Sequence, residues 1–145
     1  MSCAWLDDVL LAEALLQART TFAPEEACCR AAISRASYAV YGAARTRARD
    51  QDGLQLPATG DAHQRVSTHY RQGPSPLHRA IGNNLRRLRR ARNRADYNEQ
   101  LDRPLAQFAV RRARQVVAQL QTLAPPPPAS NAASAPASPE TTEER

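Results

Sequence analysis

The residues best suited to chemistry lie between Arg86 and Tyr97, in the stretch RRLRRARNRADY. Six arginines fall within nine residues, Arg86 to Arg94, and no acid intervenes before Asp96. A guanidinium stays charged at any physiological pH, and its planar fork of donors matches phosphate oxygens. Arg86, Arg89, Arg90, Arg92 and Arg94 are therefore candidate phosphate ligands, with Asn93 as a neutral donor and Asp96 and Tyr97 shaping the same end. At a helical 100° per residue, Ile81, Leu85, Leu88 and Ala95 form one apolar stripe, and Arg92 falls in its middle. An arginine aimed at a core or an interface needs a partner, a ligand or a water-lined cleft, so Arg92 is the first candidate for an anchor. The plain alternative is that Arg92 and Asp96, four apart on one face, form an ordinary intrahelical ion pair.

Other catalytic constellations are missing from the sequence. It has no Gly-rich phosphate loop, no HExxH and no GxSxG. Of the three histidines, His63 and His69 are six apart on a short helical segment, roughly 120° from a common face, a poor spacing for shared metal ligation. Neither a metal site nor a cofactor is expected. The three cysteines, Cys3, Cys28 and Cys29, are odd in number and lack CxxC spacing. They predict small helix residues in a reducing, cytoplasmic setting rather than a disulfide framework. No apolar run approaches the roughly 20 residues of a membrane span, and the N-terminus has neither the basic start nor the cleavage site of a secretory signal.

The net charge is +6, unevenly placed. Residues 1–123 carry 19 arginines against 11 acids, a net of +8, which favours a polyanionic partner such as nucleic acid. All 20 basic residues are arginine and none is lysine. With the excess of Ala and Pro, this pattern fits a GC-rich coding bias, so the arginine count alone is weak support for that partner.

The elements that must position these residues read as helices, without a convincing strand. A first helix is predicted over about Ala4–Arg19 and a second over Pro24 to about Arg49, with Pro24 in the first turn and Glu25 and Glu26 at the positive dipole end. The second is rich in small residues (Ala32, Ala36, Ala39, Gly42, Ala43), as befits a central helix, with Arg35 and Tyr38 expected against the fourth helix. A loop from Asp50 to Gly60 leads to a short third helix capped by Asp61, which Gly73, Pro74 and Pro76 end. A fourth helix runs from Leu77 to about Ala95. A fifth is capped by Asp102 with Pro104 in its first turn, and there Arg112 lies on the apolar stripe. The fold class is all-α: an up-and-down helical bundle of four to five helices over residues 1–123. Residues 124–145 are rich in Pro, Ala and Ser, cannot bury enough surface to order, and predict a disordered C-terminal tail.

Two stretches carry a family resemblance: Ser34-Arg35-Ala36-Ser37-Tyr38-Ala39-Val40-Tyr41 on the second helix and Arg92-Asn93-Arg94-Ala95-Asp96-Tyr97 near the end of the fourth, with His63-Gln64-Arg65-Val66 between them. Their order and spacing resemble the HEPN superfamily, in particular its small stand-alone prokaryotic branch with SRAYYA and RxxADY motifs. The resemblance covers Trp5 to Leu123. It implies a dimeric helical bundle and, in ribonuclease members, an R-x4-6-H motif from each protomer, its arginine on the scissile phosphate and its histidine in proton transfer. Arg92 matches that arginine and Asn93 the polar residue after it. Five positions on, where the histidine would stand, this chain has Tyr97, a poor proton acceptor near neutral pH. The only literal R-x6-H, Arg71 to His78, spans Gly73, Pro74 and Pro76.

The resulting expectation is a dimeric RNA- or nucleotide-binding protein of a prokaryotic defence, stress or toxin–antitoxin system. Any residual ribonuclease chemistry would be metal-independent and would fall to Arg92 and Tyr97. The alternative is a non-catalytic interaction subunit that docks on a minimal nucleotidyltransferase or a larger assembly.

Overall fold

The computed structural model describes residues 4–17, 24–97 and 101–123. Within them the chain forms five helices and no strand: α1 (Ala4–Gln17), α2 (Glu25–Asp50), α3 (Ala62–Arg71), α4 (Pro76–Tyr97) and α5 (Arg103–Thr122). The expected tail, Cys3 and the first interhelical linker lie outside the described residues. Among the described residues no helix is long and apolar enough to cross a membrane.

Local chemistry sets most of the boundaries. Asp102 caps α5 by accepting from the Leu105 amide at 3.1 Å, and Pro104 follows in the first turn, where its missing N–H costs nothing. Pro24 stands one place earlier than expected, as the residue before α2, with Glu25 and Glu26 in the first turn. Asp61 makes no side-chain cap, contrary to expectation. Its backbone is already helical, at φ −77° and ψ −6°, instead of the extended conformation from which a cap oxygen reaches the free amides. Pro76 opens α4 rather than only ending α3, and the Ser75 hydroxyl accepts from the His78 amide at 3.3 Å.

The four long helices run up, down, up and down. Glu25 and Arg103 meet at 3.0 Å where α2 and α5 both begin, so those two are parallel. Arg103 also donates to the Leu16 carbonyl near the end of α1, and Asn84 of α4 donates to Gln119 of α5, so α1 and α4 both run antiparallel to α5. Helix α2 touches every other helix, as its small residues predict. Ala32, Ala36, Ala39, Ala43, Ala44 and Ala48 are fully buried along it, with Ile33 and Val40 filling the space between. A Cβ on Gly42 would overlap the Trp5 indole ring, so glycine is what lets α1 seat against α2.

One further expectation is corrected. Arg35 and Tyr38 face α1, not α4: Arg35 lies 4.0 Å from Asp8, and the Tyr38 ring meets Trp5 edge-on at 5.9 Å. Arg112 lies over the Phe108 ring at 5.3 Å and donates to Gln115, so its partners are on its own helix. Cys28 and Cys29 are buried free thiols, and burial foremost pushes the Cys29 thiol up.

The short α3 crosses the outer side of α2 and α4. Val66 and Tyr70 bury its apolar face, and the Tyr70 hydroxyl donates to the Ala44 carbonyl at 2.8 Å. Gly82 of α4 makes this docking close: a Cβ there would lie 2.6 Å from the Arg71 amide nitrogen and 2.8 Å from the Ser67 carbonyl. Because these obstacles are backbone atoms, any larger residue would have to push α3 away.

Candidate functional site

Seating α3 in this way leaves a cleft of about 320 Å³ between α2, α3 and α4. Each helix contributes one stripe at helical spacing. Helix α2 supplies Ser37 and Tyr41, four apart. Helix α3 supplies His63, Gln64, Ser67, Thr68 and Arg71, the face adjoining its buried Val66 and Tyr70. Helix α4 supplies Leu85, Arg86, Leu88, Arg89, Arg90 and Asn93. Ser37 ties two walls together by donating to the Leu88 carbonyl at 3.5 Å.

The electrostatics of the cleft are one-sided. Arg71, Arg86, Arg89 and Arg90 line it, and no Asp or Glu does. Among the described residues none of these four arginines forms an ion pair. A concave wall that carries several unpaired guanidiniums with neutral amide and hydroxyl donors is a site for an anion with many acceptor oxygens.

His63 is the half-buried member of the wall. Its ring stacks on Tyr41 with centroids 3.5 Å apart and planes 17° from parallel. Burial, followed by the charges of Arg89, Arg92 and Arg45, holds its pKa down to about 4 from an ordinary 6.5, so the ring is neutral at pH 7. No side-chain hydrogen bond reaches the ring within the described residues, and no buried polar side-chain atom there lacks a partner, so its nitrogens keep contact with solvent. Tyr41 is pushed up by its own burial, against the opposing charges of Arg45 and Arg89.

The residues singled out from sequence divide accordingly. Arg86, Arg89, Arg90 and Asn93 come together in the cleft. Arg92 does not occupy the middle of a buried stripe: its side chain is 37% exposed and lies 3.8 Å from Asp96, the intrahelical pair that was the plain alternative. The buried stripe of α4 leans toward α5 instead, through Asn84 and, one heptad on, Ala91. That displacement leaves Arg92 on the α3 side, where its charge acts on His63. Arg94 is exposed and outside the cleft wall, and Tyr97, the last residue of α4, is 85% exposed. Sequence reasoning missed Ser37, Tyr41, His63, Gln64, Ser67, Thr68 and Arg71. Their signal was present as a polar stripe at positions 63, 64, 67, 68 and 71, a single face of a three-turn helix.

A second polar group lies behind the cleft. The Arg47 side chain, 4% exposed, reaches Asp52 at 3.2 Å, and Asp52 also meets His69 Nε2 at 2.8 Å. This group joins the end of α2 to α3 across the loop that follows α2, and so fixes the position of one cleft wall.

No protein-family model, curated protein or solved structure matches the chain.

Proposed function

We propose that the α2–α3–α4 cleft binds the phosphates of RNA or of a nucleotide, and that the chain is a HEPN-like, dimeric cytoplasmic protein of a prokaryotic defence, stress or toxin–antitoxin system. One observation carries the binding reading: four arginines without ion pairs line a single concave wall that contains no carboxylate. Guanidiniums on one wall repel one another, an anion between them offsets that repulsion, and phosphate oxygens accept from several at once. Arg89 is the central anchor in this reading, with Arg86, Arg90 and Asn93 beside it. Arg92, already engaged by Asp96, adds charge from the rim. Tyr97 stands too far into solvent to serve as a proton acceptor in the cleft, so binding is the better supported role and cleavage by an Arg92–Tyr97 pair the weaker one.

Gel-shift titration with single-stranded RNA at low salt tests this proposal. The expected result is a shift that weakens for Arg89→Ala and is kept by Arg111→Ala, whose arginine lies on α5 away from the cleft. Absence of a shift at low salt refutes the reading.

A second reading, as an interaction subunit, draws on the apolar side chains of α1. Leu6, Leu10 and Leu11 are 39%, 44% and 45% exposed on adjoining turns, a surface suited to a second copy or to a partner such as a minimal nucleotidyltransferase. Light scattering of the full chain that finds a monomer removes the dimer, and Leu10→Glu is expected to dissociate one that forms.

A further inference from the structure

We propose that His63 is a proton-dependent phosphate ligand of the cleft: a phosphate seated among the arginines draws a proton onto the imidazole, which then donates a hydrogen bond to a phosphate oxygen. This inference rests on the phosphate-binding reading and adds to it a residue, a protonation step and a pH dependence.

The geometry supplies the reasons. The ring is held in place from one side by Tyr41, it lines the cleft, and its nitrogens are not buried. The charged and titratable groups acting on it are Tyr41 and Arg45 from α2 and Arg89 and Arg92 from α4, with no carboxylate among them. In the empty cleft a proton on His63 would therefore join a cluster of cations with nothing to offset it. A phosphodiester changes the sign of that balance. Its charge screens Arg89 and Arg92 from the ring, and its oxygens give an imidazolium N–H something to bond. The proton moves from solvent to the ring nitrogen when the phosphate binds, and returns when it leaves.

The magnitude follows from two limits. The unliganded ring is held down at about 4, by burial first and then by the arginine charges, and a bound phosphate is taken to bring it back to the ordinary 6.5. Linkage then makes binding about tenfold tighter at pH 5.5 than at pH 7.5, with roughly three-quarters of a proton taken up per complex at pH 6.

The probe is a uridine oligonucleotide without terminal phosphates, because neither its bases nor its diesters titrate in this range. Its affinity for the full chain is measured at both pH values, and proton uptake is read by calorimetry in two buffers of different ionisation enthalpy. Wild type and His78→Gln, whose histidine lies outside the cleft wall, are expected to show the tenfold gain and the uptake, and His63→Gln to lose both. Binding with no pH gain and no proton uptake overturns the inference and leaves the phosphate-binding reading standing. A gain kept by His63→Gln, or one lost with His78→Gln, also overturns it. No binding at either pH refutes the phosphate-binding reading itself.

Discussion

The four arginines of the cleft wall fix how steeply binding should fall with salt. Each phosphate neutralised on a single strand contributes about −0.7 to the slope of log affinity against log salt. With Arg71, Arg86, Arg89 and Arg90 each meeting one phosphate, the slope is about −2.8, and affinity falls roughly 50-fold between 50 and 200 mM salt. Removing one guanidinium by Arg89→Ala should bring the slope to about −2.1 and the same salt step to roughly 18-fold. A charge-assisted hydrogen bond lost with it costs about 1.5–3 kcal/mol, so affinity at low salt drops at least about tenfold. Fluorescence anisotropy of a labelled RNA oligonucleotide at four or more salt concentrations measures both quantities for each variant.

The comparison with other arginines makes this prediction specific. Arg92→Ala should cost less than Arg89→Ala, because the Arg92 side chain lies outside the wall and is 3.8 Å from Asp96. Arg111→Ala on α5 should leave the slope unchanged. A slope shallower than about −1 in the wild type would mean that no more than one phosphate is held. Equal losses for Arg89→Ala and Arg111→Ala would mean that RNA spreads over a diffuse basic surface. Either result refutes the assignment of the cleft.

Three other outcomes follow from the packing. Asp52→Ala withdraws the carboxylate shared by Arg47, 4% exposed, and His69, and should destabilise the fold by about 2–4 kcal/mol in thermal or urea unfolding. A loss below half a kcal/mol would show that the group contributes little. Gly82→Ala places a Cβ against the Arg71 and Ser67 backbone and should cost about 1–3 kcal/mol despite the better helix propensity of alanine, with weaker RNA binding as α3 shifts outward. Unchanged stability and binding would place α3 farther from α4 than described. In the unliganded protein the folded chain holds the His63 pKa at about 4, below the unfolded value of 6.5, so the unfolded state takes the proton first. The His63 contribution is complete above pH 6.5 and is lost as pH falls toward 4, by less than the full shift implies because solvent screens the half-buried ring. Unfolding curves from pH 7 to pH 4 should show wild type losing more stability than His63→Gln, and parallel losses would disprove the depressed pKa.

The helices were legible because they are local. The Asp102 cap, the acids behind Pro24 and the apolar periodicity of α4 and α5 act within a few residues and need no knowledge of the neighbours. The arginines of α4 were legible as chemistry for the same reason. Arg92 was misplaced because α4 is packed by α2, α3 and α5 at once. With cover on three sides, positions 91 and 92 compete for the buried stripe, and the one that faces α5 wins by a rotation smaller than a helical pattern resolves. His63 was missed because its role depends on a tertiary contact: only the backbone approach at Gly82 carries the polar face of α3 toward Arg89. Asking whether His63 and His69 could share a metal compared two residues on one helix, when the partners of His63 lie on α2 and α4.

The absence of lysine makes a count of arginines uninformative, but the placement of acids is not subject to the same objection. A coding bias toward arginine adds guanidiniums without regard to their surroundings. Elsewhere among the described residues acids meet several of them, Glu26 at Arg30, Asp8 at Arg35, Asp52 at Arg47, Asp50 at Arg49, Glu25 at Arg103 and Glu13 at Arg114, while Arg45, Arg65, Arg79, Arg87, Arg94, Arg111 and Arg112 form no ion pair. Along the cleft wall no acid meets an arginine, and burial, followed by this uncompensated charge, holds the histidine there below its ordinary pKa. Repulsion among these groups works against the folded state, and a single aspartate at Gln64 or Thr68 would relieve it. That relief would also put a carboxylate where a phosphate is proposed to sit. What sets the cleft apart is that four such arginines share one concave wall, where a bound polyanion would offset their charge together.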